Sequence, residues 1–124
     1  MADAKKVMII EDDRFLSSLI KARLEKDGLG IVQAFDGEEA MKLLKQVKPN
    51  VIILDLIMPR VTGFEVLEAI SISPELNSIP VVILSNLAQD SDIQKAKNLG
   101  AKEYFVKVRV SIDDLVSKIK SILA

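Results

Sequence analysis

A carboxylate placed to act as a nucleophile is the strongest chemical signal in this sequence. Asp55 directly follows the apolar run Val51–Leu54, which is typical of a strand buried on both faces of a sheet. In open parallel sheets, ligands bind in the crevice beyond the carboxyl ends of the strands. Asp55 is therefore expected to lie at the mouth of such a crevice, where its carboxylate can accept a group.

Other polar residues follow further apolar runs in the same way, namely Glu11, Asp12, Ser85 and Lys107. Neighbouring acids raise one another's pKa values, so a cluster of Glu11, Asp12 and Asp55 is expected to hold a cation. Magnesium suits it, because Mg²⁺ binds carboxylates, waters and phosphate oxygens. Asp55 is then able to attack phosphorus and become an aspartyl phosphate. Lys107 would neutralise the transferred group, and the Ser85 hydroxyl would donate to one of its oxygens.

The composition excludes several other chemistries. The chain has no cysteine and no histidine, which excludes disulfides, cysteine nucleophiles, serine triads and nearly all zinc sites. Its 17 basic and 18 acidic residues leave a formal charge of −1, so direct binding to nucleic acid or to an anionic membrane is not expected. Any partner must therefore be recognised by a local surface.

The elements that position these residues follow from alternating sequence patterns. Apolar runs at residues 7–10, 31–35, 51–54, 81–84 and 104–106 are separated by helical patterns. This alternation predicts an α/β fold, a doubly wound parallel (βα)5 sheet of the flavodoxin-like type with strand order 2-1-3-4-5. Strand two then lies at the edge and is expected to contribute nothing to the crevice, with Asp36 at its end acting as a helix cap.

The helices are predicted from amphipathic stripes and from their caps. Helix one is expected to stop at Gly28 and to bury one stripe, made of Phe15, Leu16, Leu19, Ile20 and Leu24. Asp13 is expected in its first turn, where a negative charge favours the helix dipole. The other helices are predicted to run from Asp36 to Pro49, over residues 64–72 and 90–99, and from a cap at Ser111 to the end.

The chain of 124 residues is expected to form one domain, residues 1–124. Its amino terminus reaches an acidic cluster after a four-residue apolar stretch, and this segment is too short and too acidic for a signal peptide. No apolar run approaches the roughly 20 residues that a membrane span requires. A cytoplasmic location is therefore expected.

Four motifs occur in order along the chain. They are Ile10-Glu11-Asp12-Asp13, Ile53-Leu54-Asp55-Leu56-Ile57-Met58-Pro59 with Gly63, Val82-Ile83-Leu84-Ser85, and Gly100-Ala101-Lys102-Glu103-Tyr104-Phe105-Val106-Lys107. Together they resemble the receiver domain of bacterial two-component response regulators, especially free-standing regulators of the chemotaxis type. One such motif alone is weak evidence, whereas four at the family's spacing are strong.

The resemblance implies a role for each matching residue of the acidic cluster. Asp55 would be the phosphoacceptor. Mg²⁺ would be held by Glu11, Asp12, Asp55 and the backbone carbonyl of Ile57, with Asp12 as a direct ligand. Lys107 matches the family's lysine beside the acceptor.

The resemblance also implies a switch and partners. A histidine kinase, a phosphotransfer protein or a small phosphodonor would supply the phosphoryl group. Ser85, the hydroxyl switch residue, would move toward the aspartyl phosphate, and Tyr104, the rotating aromatic, would turn inward. The surface of helix four, strand five and helix five would then change toward a downstream protein. Because this chemistry is self-directed phosphotransfer and autodephosphorylation, the chain is not expected to be an enzyme.

The sequence departs from the family's pattern at several positions. Val108 stands where proline usually follows the lysine, so we expect a trans peptide bond or a rearranged loop up to Ser111. Asn86 is larger than the usual residue after Ser85 and is expected to narrow the mouth of the site. Ile57 and Leu87 are apolar where polar residues are common, and such cover is expected to exclude water and slow hydrolysis of the phosphoryl group.

Two other functions are consistent with parts of the sequence. A degenerate receiver would keep the fold as a constitutive protein-interaction module, which the departures at Val108 and Asn86 allow. A magnesium-dependent phosphohydrolase would use Asp55 as nucleophile but usually needs a second acid or base nearby. For single residues, Ser85 as a cap of helix four and Tyr104 as a packing residue remain alternatives.

Overall fold

Five strands and five helices alternate along the chain in the computed structural model, which describes residues 4–124. The strands are β1 (Lys6–Ile10), β2 (Gly30–Ala34), β3 (Val51–Leu54), β4 (Val81–Ser85) and β5 (Glu103–Val106). The helices are α1 (Arg14–Glu25), α2 (Gly37–Leu44), α3 (Gly63–Ile72), α4 (Asp90–Asn98) and α5 (Ile112–Leu123), with a 3₁₀ turn at Lys107–Arg109. Residues 1–3 lie outside the described residues. They belong to the predicted domain and to the amino terminus for which no signal peptide is predicted.

The strands are all parallel and are ordered β2-β1-β3-β4-β5 across the sheet. This confirms the predicted doubly wound, flavodoxin-like (βα)5 fold. The register places Ile10 opposite both Ala34 and Leu54, and Ser85 opposite Val106. The residues that follow β1, β3, β4 and β5 therefore emerge side by side at one edge of the sheet.

The strands are continuous apolar runs because helices cover both faces of the sheet. In β3, Ile52 and Leu54 pack into the core beneath α2, α3 and α4, whereas Val51 and Ile53 pack into the core beneath α1 and α5. All four side chains are at most 1% exposed. Burial of this apolar surface on both sides fixes the height at which β3 ends and Asp55 begins.

Side-chain caps fix where most of the helices begin. Each of four cap residues accepts a backbone N–H from the first turn of its helix: Asp13 for α1, Asp36 for α2, Thr62 for α3 and Ser111 for α5. The predicted caps at Asp36 and Ser111 are confirmed. Asp13 was predicted in the first turn of α1, but it is the N-cap residue just before the helix, and its side chain accepts the N–H of Leu16.

Two residues that were predicted to be buried on α1 face solvent instead. Phe15 is 74% exposed and Leu19 is 40% exposed. A helix turns by about 100° per residue, so Phe15 points about 140° away from the buried Ile20. Ser17 occupies the inward face in their place, and its hydroxyl accepts a hydrogen bond of 2.9 Å from Gln33 Nε2 on β2.

Helix α2 is shorter than predicted, ending at Leu44 and not at Pro49. The chain tightens there, because the N–H of Gln46 donates to the carbonyl of Leu43, three residues back. Pro49 is buried just before β3. None of the helices between residues 4 and 124 is both long enough and apolar enough to cross a membrane.

Candidate functional site

Three carboxylates converge where β1 and β3 end. Glu11 follows β1, and its N–H donates to the carbonyl of Ala34 on β2 at 3.0 Å. Asp55 follows β3, and its N–H donates to the carbonyl of Ile10 at 3.0 Å. One carboxylate oxygen from each of Glu11, Asp12 and Asp55 lies within 4.8 Å of the others. The backbone ladder of the sheet therefore brings together the three acids that the sequence singled out.

The carboxylate of Asp55 has a different partner on each oxygen. Its Oδ1 accepts the N–H of Ile57 at 3.2 Å, and its Oδ2 accepts Lys107 Nζ at 3.0 Å. The residue is only 3% exposed, because the loop after β3 folds tightly over it. A Cβ on Gly63 would lie 2.1 Å from the Asp55 carbonyl oxygen, so only glycine allows this approach. The acceptor carboxylate is thus held in one orientation by backbone and lysine contacts.

Lys107 connects two of the three acids. Its Nζ lies 2.7 Å from Glu11 Oε1 and 3.0 Å from Asp55 Oδ2. Burial lowers the pKa of the Lys107 ammonium, but its contacts with Glu11 and Asp55 outweigh burial and raise that pKa above its ordinary value. Lys107 is therefore charged at neutral pH, and it cannot be a freely solvated surface lysine.

Glu11 is the most perturbed acid of the site. Burial raises the pKa of its carboxyl to about 7, and the nearby charge of Asp55 adds to the rise. Contacts with the Lys107 ammonium and with the N–H of Asp13, which donates to Oε2 at 3.0 Å, act in the opposite direction. With a pKa of about 7, the Glu11 carboxyl is partly protonated at neutral pH, and a further positive charge beside it would favour its ionised form.

The charges and donor atoms of the cluster fit a divalent cation. When all three acids are ionised, they and the Lys107 ammonium leave a net charge of −2. Glu11 Oε1 is buried and, among the described residues, lacks a donor with hydrogen-bond geometry. Two oxygens that share one Mg²⁺ lie at most about 4.2 Å apart, and the three carboxylate oxygens here all lie within 4.8 Å of one another.

Ser85 and Tyr104 meet at the loop between β4 and α4. Ser85 is fully buried as the last residue of β4, and its hydroxyl accepts the N–H of Leu87 at 3.3 Å. The Tyr104 hydroxyl donates to the carbonyl of Leu87 at 2.6 Å, and burial raises the pKa of this phenol. Ser85 does not cap α4, whose N-cap is Gln89. Both candidate switch residues thus contact the same short loop.

The positions at which the sequence departs from the family's pattern lie around the mouth of the site. The peptide bond between Lys107 and Val108 is trans, as predicted, and the chain continues in a 3₁₀ turn. Asn86 and Val108 are exposed, and Ile57 is 52% exposed, whereas Leu87 is half-buried. The turn therefore keeps Lys107 against the acids without the usual proline. The carbonyl of Ile57 as a metal ligand stays a prediction.

One residue near the site was not singled out from the sequence. Arg60, in the loop after β3, has a φ of 65°, the left-handed conformation that residues other than glycine seldom adopt. Its guanidinium lies 3.0 Å from the carboxylate of Asp36. The two residues are 24 positions apart, so no local sequence pattern could have indicated this ion pair.

Comparisons with known proteins agree with this geometry. The family model of the response regulator receiver domain matches residues 7–120. The transcriptional regulatory protein YcbL of Bacillus subtilis is 37% identical over 116 residues, which is 92% of this chain and 49% of that protein. The chain thus spans about half the length of this relative. Protein PilH of Pseudomonas aeruginosa is 30% identical over 96% of this chain and 98% of its own length.

A solved structure shows the same fold. The phosphorylated cyanobacterial phytochrome response regulator RcpA superposes with a TM-score of 0.84 and is 32% identical, over 97% of this chain and 91% of that one. Receiver domains are signalling domains that bind Mg²⁺ at an acidic pocket and interact with histidine kinases or phosphotransfer proteins. This chain also has an acidic cluster, formed by Glu11, Asp12 and Asp55. This chain belongs to the family of response regulator receiver domains.

Proposed function

We propose that this chain is a phosphorylation-dependent signalling switch whose phosphoacceptor is Asp55. The observation that carries this proposal is the convergence of three carboxylates and one ammonium at the ends of β1, β3 and β5. Such a group of charges is costly to bury without a further cation and a reacting group. Glu11, Asp12, Asp55 and the Ile57 carbonyl would hold Mg²⁺.

In the proposed reaction, a carboxylate oxygen of Asp55 forms a bond to the phosphorus of the donor. The bond from phosphorus to the donor atom breaks, and that atom leaves with the bonding electrons. The donor atom is a histidine nitrogen of a kinase or phosphotransfer protein, or an oxygen of acetyl phosphate. Bound Mg²⁺ would neutralise charge on the phosphoryl oxygens. Because the contacts of both Asp55 oxygens fix the carboxylate, little reorientation is needed before attack.

Two further residues have roles in this proposal. Lys107 is charged and lies 3.0 Å from Asp55, so it can follow the negative charge from the carboxylate to the new phosphoryl group. The Ser85 hydroxyl accepts one weak hydrogen bond of 3.3 Å and keeps its own proton to donate. Movement of Ser85 toward a phosphoryl oxygen would break its bond to Leu87 and release the loop after β4.

The proposed output surface consists of α4, β5 and α5. A phosphoryl group adds roughly −1.5 to −2 charge and strong acceptor oxygens. Release of Leu87 would free Tyr104 to turn inward, which changes the groove of about 640 Å³ that Tyr104, Phe105, Arg109 and Lys118 help to line. A downstream protein would read this change. Ile57 and Leu87 would limit the access of water to the aspartyl phosphate, whose loss by autodephosphorylation is the only other chemistry proposed.

The alternative of a degenerate receiver has less support. It rested on Val108 and Asn86, yet the 3₁₀ turn at Lys107–Arg109 keeps Lys107 in contact with Asp55. A phosphohydrolase is expected to carry an acid or base in the loop just after the nucleophile, whereas the residue two positions after Asp55 is the apolar Ile57.

Intact-mass spectrometry after incubation with Mg²⁺ and acetyl phosphate tests the proposal. We expect one phosphoryl adduct on the wild-type chain and none on Asp55→Asn, because the amide is not a nucleophile. Asp113→Asn, which removes an exposed acid on α5, is the matched control and should retain the adduct. A wild-type chain without an adduct would favour the interaction module. Multiple turnover of acetyl phosphate with no accumulating adduct would favour the hydrolase.

A further inference from the structure

The carboxyl end of the edge strand β2 contacts both loops that carry the acidic cluster. From the sequence, β2 was expected to contribute nothing to the crevice, and no β2 side chain belongs to the group of three acids in the described chain. Its last residue, Ala34, nevertheless accepts the N–H of Glu11 at 3.0 Å. The two residues that follow each contact an arginine: Phe35 contacts Arg14, the first residue of α1, and Asp36 contacts Arg60 in the loop after β3.

Phe35 engages the loop after β1. The guanidinium carbon of Arg14 lies 4.0 Å from the centroid of the Phe35 ring, a cation–π distance. Arg14 is the first residue of α1 and comes two residues after Asp12. A contact that holds Arg14 therefore acts on the start of α1, close to the backbone that carries Asp12.

Asp36 engages the loop after β3. Its Oδ2 lies 3.0 Å from Arg60 Nη2, and Arg60 comes five residues after Asp55. The left-handed backbone of Arg60 is unfavourable for a residue with a Cβ. The ion pair with Asp36 helps to stabilise the loop in this unfavourable backbone conformation.

Close packing joins the same two segments. A Cβ on Gly37, the residue after Asp36, would lie 2.8 Å from Val61 Cγ1 and 2.9 Å from the Val61 carbonyl. Glycine at this position thus lets the start of α2 touch the loop that follows Asp55. The side-chain ion pair and the backbone contact lie next to each other and act on the same loop.

The turn between β2 and α2 is itself fixed. Asp36 Oδ1 accepts the N–H of Glu39 at 2.8 Å, and Glu39 Oε1 accepts the N–H of Phe35 at 2.8 Å. This reciprocal pair resembles a capping box. Phe35 and Asp36 are therefore presented from a rigid turn, which is what a residue needs if it is to hold other groups in place.

We propose that Phe35 and Asp36 are positioning residues for the acidic cluster, acting through Arg14 and Arg60 on the two loops that carry Asp12 and Asp55. This inference rests on the proposed function, because it concerns the Mg²⁺ site. Neither residue touches the metal or the phosphoryl group. They hold the carboxylates of separate strands at a spacing that one cation can bridge, so that less of the binding free energy is spent on ordering loops.

Calorimetric titration of the unphosphorylated chain with MgCl₂ alone tests the role of Asp36. Asp36→Asn keeps a good N-cap but weakens the contact with Arg60. Glu38→Gln is the matched control. It removes the same charge two residues further along the chain and loses only an exposed ion pair with Lys42. We expect Asp36→Asn to bind Mg²⁺ about two- to fivefold more weakly than Glu38→Gln, the range that an exposed ion pair supports.

Phe35→Leu tests the other contact without a change of charge. It should weaken Mg²⁺ binding by a similar factor of about two to five, and the loss should persist at high ionic strength because no charge has been removed. Urea unfolding without Mg²⁺ shows whether each variant is folded. A residue with a merely structural role would lower the free energy of unfolding and leave the Mg²⁺ affinity of the folded chain unchanged.

The outcomes separate this inference from the function on which it rests. The positioning role is overturned, while the Mg²⁺ site stands, if wild type binds Mg²⁺, Asp36→Asn binds it as tightly as Glu38→Gln, and Phe35→Leu binds it as tightly as wild type. If wild type binds no Mg²⁺, or Asp12→Asn binds as well as wild type, the proposed site itself is wrong and the positioning role is overturned with it.

Discussion

The two halves of the site, at the ends of β1 and β3 and at the ends of β4 and β5, are held by different means. In the first half, Glu11 and Asp55 are 1% and 3% exposed, and both backbones are bonded into the sheet. In the second half, Tyr104 is half-buried and fixed to the loop after β4 by one hydrogen bond. Helix α4, which follows that loop, begins at Asp90, and the side chain of its N-cap residue, Gln89, makes no capping hydrogen bond.

This difference indicates how a small chemical event can be read at a distance. Reactive groups need fixed positions, because misplacement by about 1 Å costs much of the rate. A responding segment needs the reverse, since its two arrangements must differ by only a few kcal/mol if a phosphoryl group is to select between them. The first half of the site is therefore built of backbone contacts and buried charge, whereas the loop after β4 in the second half is held by single hydrogen bonds to Ser85 and Tyr104 that can be exchanged.

The largest expected effect comes from disturbing the rigid half at Gly63. Its Cβ in Gly63→Ala would lie 2.1 Å from the Asp55 carbonyl and 2.5 Å from Leu56 Cα, so backbone has to move. We expect the free energy of unfolding in urea to fall by about 3 kcal/mol or more, and the acetyl phosphate adduct to form more slowly.

Gly28→Ala is the control for this substitution. Gly28 has a φ of 81° but no atom within 4 Å of an added Cβ, so its cost is conformational, about 1–2 kcal/mol, with no effect on the adduct. Equal losses of stability and equal rates of adduct formation in the two variants would show that the approach of Gly63 to Asp55 does not matter.

A smaller effect is expected from the titration of Glu11. Burial raises the pKa of its carboxyl from 4.5 to about 7 in the folded chain, so folding favours the protonated form. Its contribution to stability is complete below the unfolded value of 4.5 and is lost as the pH rises through about 7. Without metal, the free energy of unfolding should therefore fall across this window, by on the order of 2 kcal/mol.

Urea unfolding in the presence of a chelator, at a series of pH values, measures this dependence. Glu11→Gln should lose most of the slope, whereas Glu38→Gln, which changes an exposed acid of α2, should retain it. Mg²⁺ should restore more stability at the alkaline end than at the acid end, because binding requires the ionised carboxylate. A slope that is identical in Glu11→Gln and wild type would assign the pH dependence to other groups.

The fold and the members of the site could be predicted because both depend on the ends of buried strands. Apolar runs marked the strands, and their shared direction placed Glu11, Asp55, Ser85 and Lys107 at one edge. The orientation of α1 could not be predicted in the same way, because Phe15 is apolar but turns outward while the polar Ser17 is buried.

Contacts between distant loops were also beyond the sequence. The pairs of Arg60 with Asp36 and of Arg14 with Phe35 join segments that are more than 20 positions apart. Each depends on where two loops meet after folding, and exposed charges occur throughout the chain, so no periodicity marks these particular ones. Contacts between side chains of different loops are therefore harder to predict than positions that follow from strand order.

The smallest expected effect lies in the second half, at the hydroxyl of Tyr104. Tyr104→Phe removes the hydrogen bond to the Leu87 carbonyl and keeps the ring, which should lower the free energy of unfolding by about 1 kcal/mol. Amide hydrogen exchange over residues 86–90 should become faster, while the acetyl phosphate adduct still forms, because the acids do not contact this hydroxyl. Ser71→Ala, which removes a side-chain bond to the carbonyl of Glu68 on α3, should leave exchange in that loop unchanged. Slower adduct formation without faster exchange in Tyr104→Phe would mean that the two halves are not separable. The loop at residues 86–90 would then help to hold Asp55 in position.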